Sequence, residues 1–202
     1  NSEMMAAKTA EMNRQLNEEI PQFRCSDPKF EEIYYYLWAL YLMYYIDVGR
    51  GWEMYPHTQT AVNNFLGMHR YDANFQIKVG AWTAEKDEYA YGNVLHWKSL
   101  LPYARRGGAL PDNKGIAWFS PVWGTTTEHV IGAWQIYQHT GDVDFLHDCY
   151  DEYFRLLFKD GLHGHWGCHY DAAQHLREMA RLTGDPEDPN RWPKLVGLDQ
   201  RD

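Results

Sequence analysis

Thr140-Gly141-Asp142 is the stretch that decides the fold, because the same order returns 43 positions later as Thr183-Gly184-Asp185. Each copy stands at the end of an apolar pattern with helical spacing. Glycine is preferred just after a helix, and aspartate is preferred at the cap of the next one. A period of this length is typical of one helical hairpin per repeat. The sequence therefore predicts an all-α protein that is built from helix pairs.

Helical spacing accounts for most of the chain. Asp27 followed by Pro28 is the clearest start signal, because aspartate caps a helix and proline fits its first position. No run alternates apolar and polar residues as a half-buried strand does. Beyond Asp185 the chain is polar and rich in proline, and no packed element is predicted there. The predicted helices span residues 2–19, 28–48, 72–84, 86–104, 126–139, 143–158 and 171–183.

Residues 33–46 read IYYYLWALYLMYYI and are apolar all the way round a helix. This run is too short to span a bilayer, which requires about 20 residues. A helix that is apolar on every side is usually buried on every side. The run therefore predicts a central helix in a multilayered helical protein.

The composition excludes some classes of partner. The 19 basic and 28 acidic residues give a net charge of −9, which argues against a surface for nucleic acid or anionic membranes. Three cysteines stand far apart, so neither a zinc ribbon nor a disulfide framework is predicted. The chain starts without the charged and apolar regions of a signal peptide.

The chain is rich in aromatic residues, with 9 Trp, 15 Tyr and 8 Phe. Aromatic rings with a polar edge suit the apolar faces of sugar rings. Packing between helices is the alternative role for each of them. Several lie in predicted connections, namely Trp52, Tyr55, Trp118, Phe119, Trp123 and Trp166.

Long and short connections alternate along the predicted helices. The long ones are residues 49–70, 105–125 and 159–170, and the short ones lie near residue 85 and at Gly141. Alternation of this kind places every long connection at the same end of a set of helix pairs. A loop-lined face with carboxylates, a cation and aromatic rings is typical of a carbohydrate site. The residues gathered there would be Trp52, Tyr55, Arg70, Asp72, Trp118, Trp123, Trp166, His169 and Asp171.

Two alternatives to a sugar site stay open at this end. Asp72 follows Arg70 and Tyr71 just before an apolar helix pattern, so it is also a candidate N-cap with Arg70 as its surface partner. A metal site is the weaker alternative, because a His-x-His pair in a loop is not a specific signature. Its candidate ligands are His163, His165, His169 and Asp171.

A set of short motifs extends across most of residues 20–185. They are Pro21 with Ser26-Asp27-Pro28 and the aromatic helix, the G-x-H-x-[aromatic]-D-x-x-F stretch from Gly67 to Phe75, Ser120-Pro121-Val122, Thr140-Gly141-Asp142 with Phe145-Leu146, and Asp171-Ala172-Ala173 with Leu176 and Met179-Ala180. As a set they resemble the catalytic domain of (α/α)6-barrel glycosidases of the glucosidase I and trehalase-like group, glycoside hydrolase family 63 and its relatives. The resemblance implies a toroid of helical hairpins and an inverting hydrolase that acts on an α-linked glycoside.

The resemblance also implies roles for individual residues. Tyr71 and Asp72 match a Trp-Asp pair that holds the terminal sugar. The general acid is expected near the start of the last helix, where the acidic residues are Asp160 and Asp171, and Asp171 is the choice. Carbohydrate is the implied partner, and neither a cofactor nor a metal is implied. Glu85, Asp87 and Glu128 are alternative catalytic carboxylates, although each also suits a plain charge at a helix end. The predicted substrate-binding residues are Arg70, Tyr71, Asp72, Trp118, Trp123, Trp166 and His169.

The chain is shorter than the toroid that it resembles. Twelve helices with their connections need on the order of 350–400 residues, so the 202 residues resemble the N-terminal half of the barrel. Residues 1–20 are expected to form a peripheral helix or linker, and residues 21–202 part of the catalytic-type domain. The base would then lie in the second half.

Half a toroid would leave apolar helix faces open, so a homo-oligomer or the remainder of the barrel is expected as a partner. Two other functions remain open. One is a non-catalytic helical-repeat module that binds carbohydrate or a protein, and the other is a purely structural role.

Overall fold

A computed structural model describes residues 2–51, 54–62, 65–67, 70–84, 87–100, 127–158, 168–187 and 189–196, with the backbone alone at described positions within 61–71 and at 87, 88 and 100. The described chain is mostly helical, which confirms the all-α prediction. Its helices are α1 (Ser2–Glu18), α2 (Pro28–Met43), α3 (Arg70–Gly80), α4 (Gly92–Leu100), α5 (Thr127–Thr140), α6 (Val143–Cys149), α7 (Arg155–Leu157), α8 (His169–Thr183) and α9 (Arg191–Leu195). Two π-helical segments, Asp87–Tyr91 and Tyr150–Phe154, lead into α4 and join α6 to α7.

Two short antiparallel hairpins lie in the connection between α2 and α3. Strand β1 (Tyr45–Ile46) pairs with β2 (His57–Thr58), and β3 (Thr60–Val62) pairs with β4 (Phe65–Gly67). The prediction that α2 continues to residue 48, and that no strand follows, is therefore wrong. Pairing between chain segments overrides helical propensity here, since aromatic and β-branched residues suit paired strands as well as helices.

The burial of α2 also differs from the prediction. Only Trp38 and Leu42 are buried along this helix, so burial on every side is wrong. Its inner face is held by tyrosines: the Tyr34 hydroxyl donates to the Pro21 carbonyl oxygen at 2.6 Å, and the Tyr41 hydroxyl donates to that of Gln76 at 3.0 Å. Other elements cover this single face of α2, and the opposite face is open to solvent.

The core lies between α3, α4, α5, α6 and α8. Its largest fully buried side chains share aromatic or branched aliphatic character, apart from one methionine: Trp97, Tyr89, Tyr150, Tyr153, Phe154, Phe158, Ile77, Ile136, Leu146, Leu176 and Met179. Helix α1 has no buried residue, and it is tied to the core at its end. There the buried Glu19 carboxylate accepts a hydrogen bond from the Tyr89 hydroxyl at 2.6 Å.

Helices α3 and α5 run in the same direction. Ile77 packs against Gly132, where an added Cβ would lie 2.9 Å from the Ile77 Cγ2 atom. Beyond the end of α3, the Trp82 ring meets the His139 ring edge-on, with centroids 4.4 Å apart. The second contact lies nearer the C-terminus than the first in both segments. The two helices are therefore parallel, and their N-terminal ends lie side by side.

Helix α8 runs parallel to α5 as well. Near the middle of the two helices, the rings of Trp134 and His175 stack with centroids 5.2 Å apart. Near their starts, Glu128 lies within electrostatic range of the Cys168 thiol. The long connections before α3, α5 and α8 therefore lead into the same end of the three helices, as the alternation of loop lengths predicts.

The tight turn between α5 and α6 has the predicted chemistry. Gly141 adopts a positive φ of 69°, which favours glycine. Asp142 caps α6, where its Oδ1 accepts a hydrogen bond from the Phe145 amide at 2.9 Å. Its Oδ2 accepts a second one from the Tyr91 hydroxyl at 2.9 Å, which ties the turn to the segment before α4.

We expect Asp142→Ala to lower the free energy of unfolding by about 2 kcal/mol, because it removes a helix cap and leaves the Tyr91 hydroxyl without this acceptor. Asp27→Ala is the matched comparison, since Asp27 caps α2 by accepting from the Lys29 amide at 2.9 Å. That change should cost about 1 kcal/mol. Urea unfolding of the two variants measures both losses in stability. Equal losses would mean that the hydrogen bond from Tyr91 to Asp142 adds nothing to the helix cap.

A packed element follows Asp185, against the prediction. The side chain of Trp192 in α9 is buried, and its Nε1 donates to the Tyr150 hydroxyl at 2.9 Å. Asp185 accepts hydrogen bonds from the Tyr150 hydroxyl at 2.5 Å and from Arg191 at 2.7 Å. The buried Trp192 and the ion pairs of Arg191 with Asp185 and Glu187 hold this short helix, and these contacts produce no periodic pattern in the sequence. Within the described ranges, none of the helices combines the length and apolar character that crossing a membrane requires.

Candidate functional site

Asp72 lies in the first turn of α3, at the third helical position and not at the N-cap. One carboxylate oxygen accepts a hydrogen bond from the Thr60 hydroxyl at 3.2 Å. The same hydroxyl oxygen accepts from Gln76 Nε2 at 3.3 Å. Strand β3 thus orients the half-buried Asp72 carboxylate at the start of α3, where the positive end of the helix dipole favours its charge.

Glu128 provides a second carboxylate, at the start of α5. Its side chain is only 2% exposed, and one carboxylate oxygen accepts a hydrogen bond from the Thr127 hydroxyl at 3.1 Å. Acidic residues are almost never buried to this extent unless they are paired or functional. Glu128 therefore lies at a helix end, as the sequence predicts, but it is buried there and does not face solvent.

Helix α8 brings a third acidic group to this end. Asp171 is exposed in its first turn, and the half-buried Cys168 stands just before the helix. Burial is the main cause of the raised pKa of the Cys168 thiol. The Glu128 and Asp171 carboxylates raise this pKa further, and the Lys78 ammonium lowers it. Lys78, Glu128 and Asp171 therefore each lie within electrostatic range of Cys168, and we call these four residues one neighbourhood.

Lys78 reaches this neighbourhood from α3, and His175 joins it from α8. The Lys78 ammonium lies 6.0 Å from the centroid of the Phe75 ring. Burial lowers the pKa of His175, the Asp171 charge opposes this shift, and Lys78 reinforces it. The site thus contains acidic, basic and imidazole groups beside the stacked ring of Trp134, a mixture that suits the hydroxyl groups and the apolar face of a sugar.

Several predicted residues can be compared with the structure. Asp72, His169 and Asp171 occupy the starts of α3 and α8, at the predicted end. Arg70 and Tyr71 open α3, and their side chains lie outside the description. Tyr55 is exposed in the connection before β2. Residues outside the described ranges are Trp52, Glu85, Trp118, Phe119, Trp123, His163, His165 and Trp166.

Three members of the neighbourhood were not predicted from the sequence, namely Lys78, Cys168 and His175. Lys78 lies two turns into α3, and nothing in its local pattern separates it from an ordinary surface lysine. His175 did carry a signal, because it stands four positions after Asp171 and so shares its helix face. Within the described residues, no three histidine, cysteine or acidic side chains are grouped in a way that would hold a metal ion.

A buried pair of histidines joins strand β2 to helix α4. The rings of His57 and His96 stack with centroids 4.0 Å apart and an interplanar angle of 5°. His57 Nδ1 lies 2.9 Å from the Tyr55 carbonyl oxygen. Neither ring nitrogen of His96 has a hydrogen-bond partner within the described residues, and burial lowers its pKa to about 3.

A third buried histidine lies in α5. His129 Nδ1 is 3.0 Å from the Tyr153 hydroxyl oxygen, and the His129 ring lies 4.9 Å from that of Trp97, measured between centroids. Burial lowers the pKa of His129 to about 3. The local sequence does not distinguish these histidines: His96 is a polar position among apolar neighbours, whereas His57 and His129 follow or precede other polar residues.

No protein-family model, curated protein or solved structure matches this chain.

Proposed function

We propose that this chain binds the terminal sugar of an α-linked glycoside at the shared N-terminal end of α3, α5 and α8. One observation carries the proposal: three parallel helices bring Asp72, Glu128 and Asp171 to the same end. Carboxylates accept hydrogen bonds from sugar hydroxyls, and a buried or pre-oriented carboxylate does so at little cost in ordering. Asp72, which the Thr60 hydroxyl orients, is the proposed anchor for the sugar.

The proposal includes glycoside hydrolysis with inversion. Asp171 is the proposed general acid, because it opens α8 and matches the sequence motif on which the resemblance depends. Inverting hydrolysis needs a second carboxylate about 6.5–9.5 Å away that activates water. The buried Glu128 is a carboxylate of the same end, and the remainder of a barrel is the other source of this base.

The arrangement that we propose around this site is part of an (α/α)6 toroid. The inner layer of such a toroid consists of parallel helices, each joined to the next through an antiparallel outer helix. Parallel packing of α3, α5 and α8 supports this proposal, as does the tight return from α5 into α6. A binding site at the loop-rich end of the inner layer follows from that architecture.

Saccharide binding is expected to stabilise the protein against heat. A sugar at 100 times its dissociation constant adds about 2.7 kcal/mol, which corresponds to a rise in Tm of about 5–10 °C for a chain of this length. Differential scanning fluorimetry with maltose, trehalose and methyl α-mannoside measures the shift, with cellobiose as the β-linked comparison. Asp72→Asn should abolish the shift and leave the Tm of the free protein nearly unchanged.

Asp144→Asn is the matched control, because Asp144 is an exposed carboxylate at the start of α6, the opposite end of the helix pairs. It should keep the full thermal shift. Asp171→Asn and Glu128→Gln are expected to keep saccharide binding and to lose hydrolysis of aryl α-glycosides. Binding without hydrolysis in the unmodified chain would favour the non-catalytic module. A shift that survives Asp72→Asn, or the lack of any shift, would refute the proposed site.

A further inference from the structure

The outer face of α2 is an open apolar stripe, which we call the α2 stripe. Its members are large side chains that are each more than half exposed: Phe30 at 62%, Ile33 at 53%, Tyr36 at 61%, Leu37 at 58% and Met43 at 53%. Leu40 lies on the same face and is half-buried. Scattered exposed apolar residues are ordinary on a protein surface, but a continuous stripe of this kind marks an interface.

The spacing of the α2 stripe matches a helix-packing seam. Phe30, Ile33 and Leu37 of the stripe are spaced by three and four residues, and the half-buried Leu40 and Tyr44 continue the series at steps of three and four. This 3-4 alternation lets two helices pack side by side along their whole length with knobs fitting into holes. The stripe therefore presents a surface that suits a partner helix and not merely an irregular apolar patch.

The α2 stripe is also complementary to itself. Its members are mirrored about the midpoint between Tyr36 and Leu37, where Phe30 mirrors Met43 and Ile33 mirrors Leu40. In an interface with twofold symmetry, each residue meets the mirrored residue of the other copy. Two copies of α2 packed antiparallel about this midpoint would bring apolar side chains together at these mirrored positions.

Charges at the two ends of α2 suit the same arrangement. Lys29 and Asp47 are both exposed, one at the start of α2 and one just after its end. Neither side chain forms an ion pair with another described residue. An antiparallel pair of helices brings the start of each next to the end of the other, so Lys29 of each copy would approach Asp47 of its partner. Parallel packing would instead place like charges together.

The area of the α2 stripe is sufficient for a stable dimer. A large side chain carries about 200 Å², so five side chains that are more than half exposed contribute on the order of 500 Å² per copy. Two copies then bury roughly 1,000 Å² of apolar surface, which reaches the size of a specific interface before the polar rim is counted. We propose that two copies of this chain associate through antiparallel, twofold-symmetric packing of their α2 stripes. This proposal is independent of the proposed glycosidase function.

The mass of the 202-residue chain in solution tests the proposal. Size-exclusion chromatography with light scattering, at several protein concentrations, should give a mass near twice 23.8 kDa at the higher concentrations. Leu37→Glu, which places two carboxylates at the centre of the interface, should weaken dimerisation by about 100-fold or more. Leu156→Glu is the matched control, because Leu156 on α7 is 57% exposed and lies outside the stripe. It should leave the dimer intact.

A charge swap tests the antiparallel geometry and does not alter the apolar stripe. Lys29→Glu should weaken the dimer by about tenfold, because the symmetry repeats the unfavourable contact with Asp47. The double variant Lys29→Glu with Asp47→Lys should restore the affinity of the unmodified chain. Circular dichroism checks that each variant keeps its helical content. If Leu37→Glu does not fold, the charge-swap variants by themselves test the proposed dimer. A monomer at all concentrations, a dimer that survives Leu37→Glu in a folded protein, or a swap that restores nothing would each overturn the proposal.

Discussion

Acidification from pH 8 to pH 5 is expected to reduce the free energy of unfolding by about 4 kcal/mol. The cause is the burial of His96 and His129, whose pKa is about 3 in the folded protein. In the unfolded chain both imidazoles titrate near pH 6.5, so below that pH the unfolded state binds protons that the folded state excludes. The stabilisation is therefore complete above pH 6.5 and is lost as the pH falls from 6.5 toward 3.

The expected slope distinguishes the two histidines from general acid denaturation. Each contributes about 1.4 kcal/mol per pH unit below pH 6.5, so urea unfolding at intervals between pH 5 and pH 8 should show about twice that slope. His96→Phe, which keeps an aromatic ring against His57, and His129→Phe should each remove about half of it. The lowered pKa of His175 acts in the same direction.

A matched histidine on the surface provides the control for this slope. His147 is exposed on α6, so His147→Gln should leave the slope below pH 6.5 unchanged. A stability that stays flat from pH 8 to pH 5 would contradict the burial of neutral His96 and His129. If His96→Phe and His129→Phe both leave the slope unchanged, other titrating groups are its cause.

Gly92→Ala is expected to lower the free energy of unfolding by about 3 kcal/mol or more. Gly92 opens α4, and a Cβ added there would lie 2.1 Å from the Pro56 carbonyl oxygen and 3.0 Å from its carbonyl carbon. Both atoms belong to the backbone, so relief requires movement of the chain before β2. That movement would strain the bond from the Thr58 amide to Asn93 Oδ1, which is 3.1 Å long, and the stack of His57 on His96.

Gly132→Ala offers a milder comparison within the same fold. Its added Cβ would meet the Ile77 side chain at 2.9 Å, and a side chain can shift more readily than a backbone. The gain in helix propensity from glycine to alanine, about 1 kcal/mol, offsets part of that cost. Thermal and urea unfolding should therefore show that Gly92→Ala lowers the free energy of unfolding much more than Gly132→Ala does. Equal losses would mean that the Pro56 contact does not restrain α4.

The helices and most of their ends were predictable because their signals are local. Asp27 before Pro28 starts α2, and Asp142 caps α6 as predicted, since capping depends on a few neighbouring residues. Gly184 ends α8 with a positive φ of 72°, in agreement with its role as a helix stop. The alternation of long and short connections also indicated which helix ends would meet, and the parallel packing of α3, α5 and α8 agrees with that expectation.

The tertiary structure decided everything that depends on which surfaces meet. The sequence makes α2 apolar on all sides, but only packing determines that Trp38 faces inward and Leu37 faces solvent. Glu128 has the local pattern of a helix-end charge, and its burial is set by the tertiary structure. Trp192 and the stacked His57 and His96 likewise have no periodic signal, because their contacts join residues that are far apart in the chain. By itself the sequence determined where several helices begin and end, among them the starts of α2 and α6 and the end of α8, through backbone geometry and capping. Burial and charge proximity, and with them the character of the candidate site, arose only when the helices packed together.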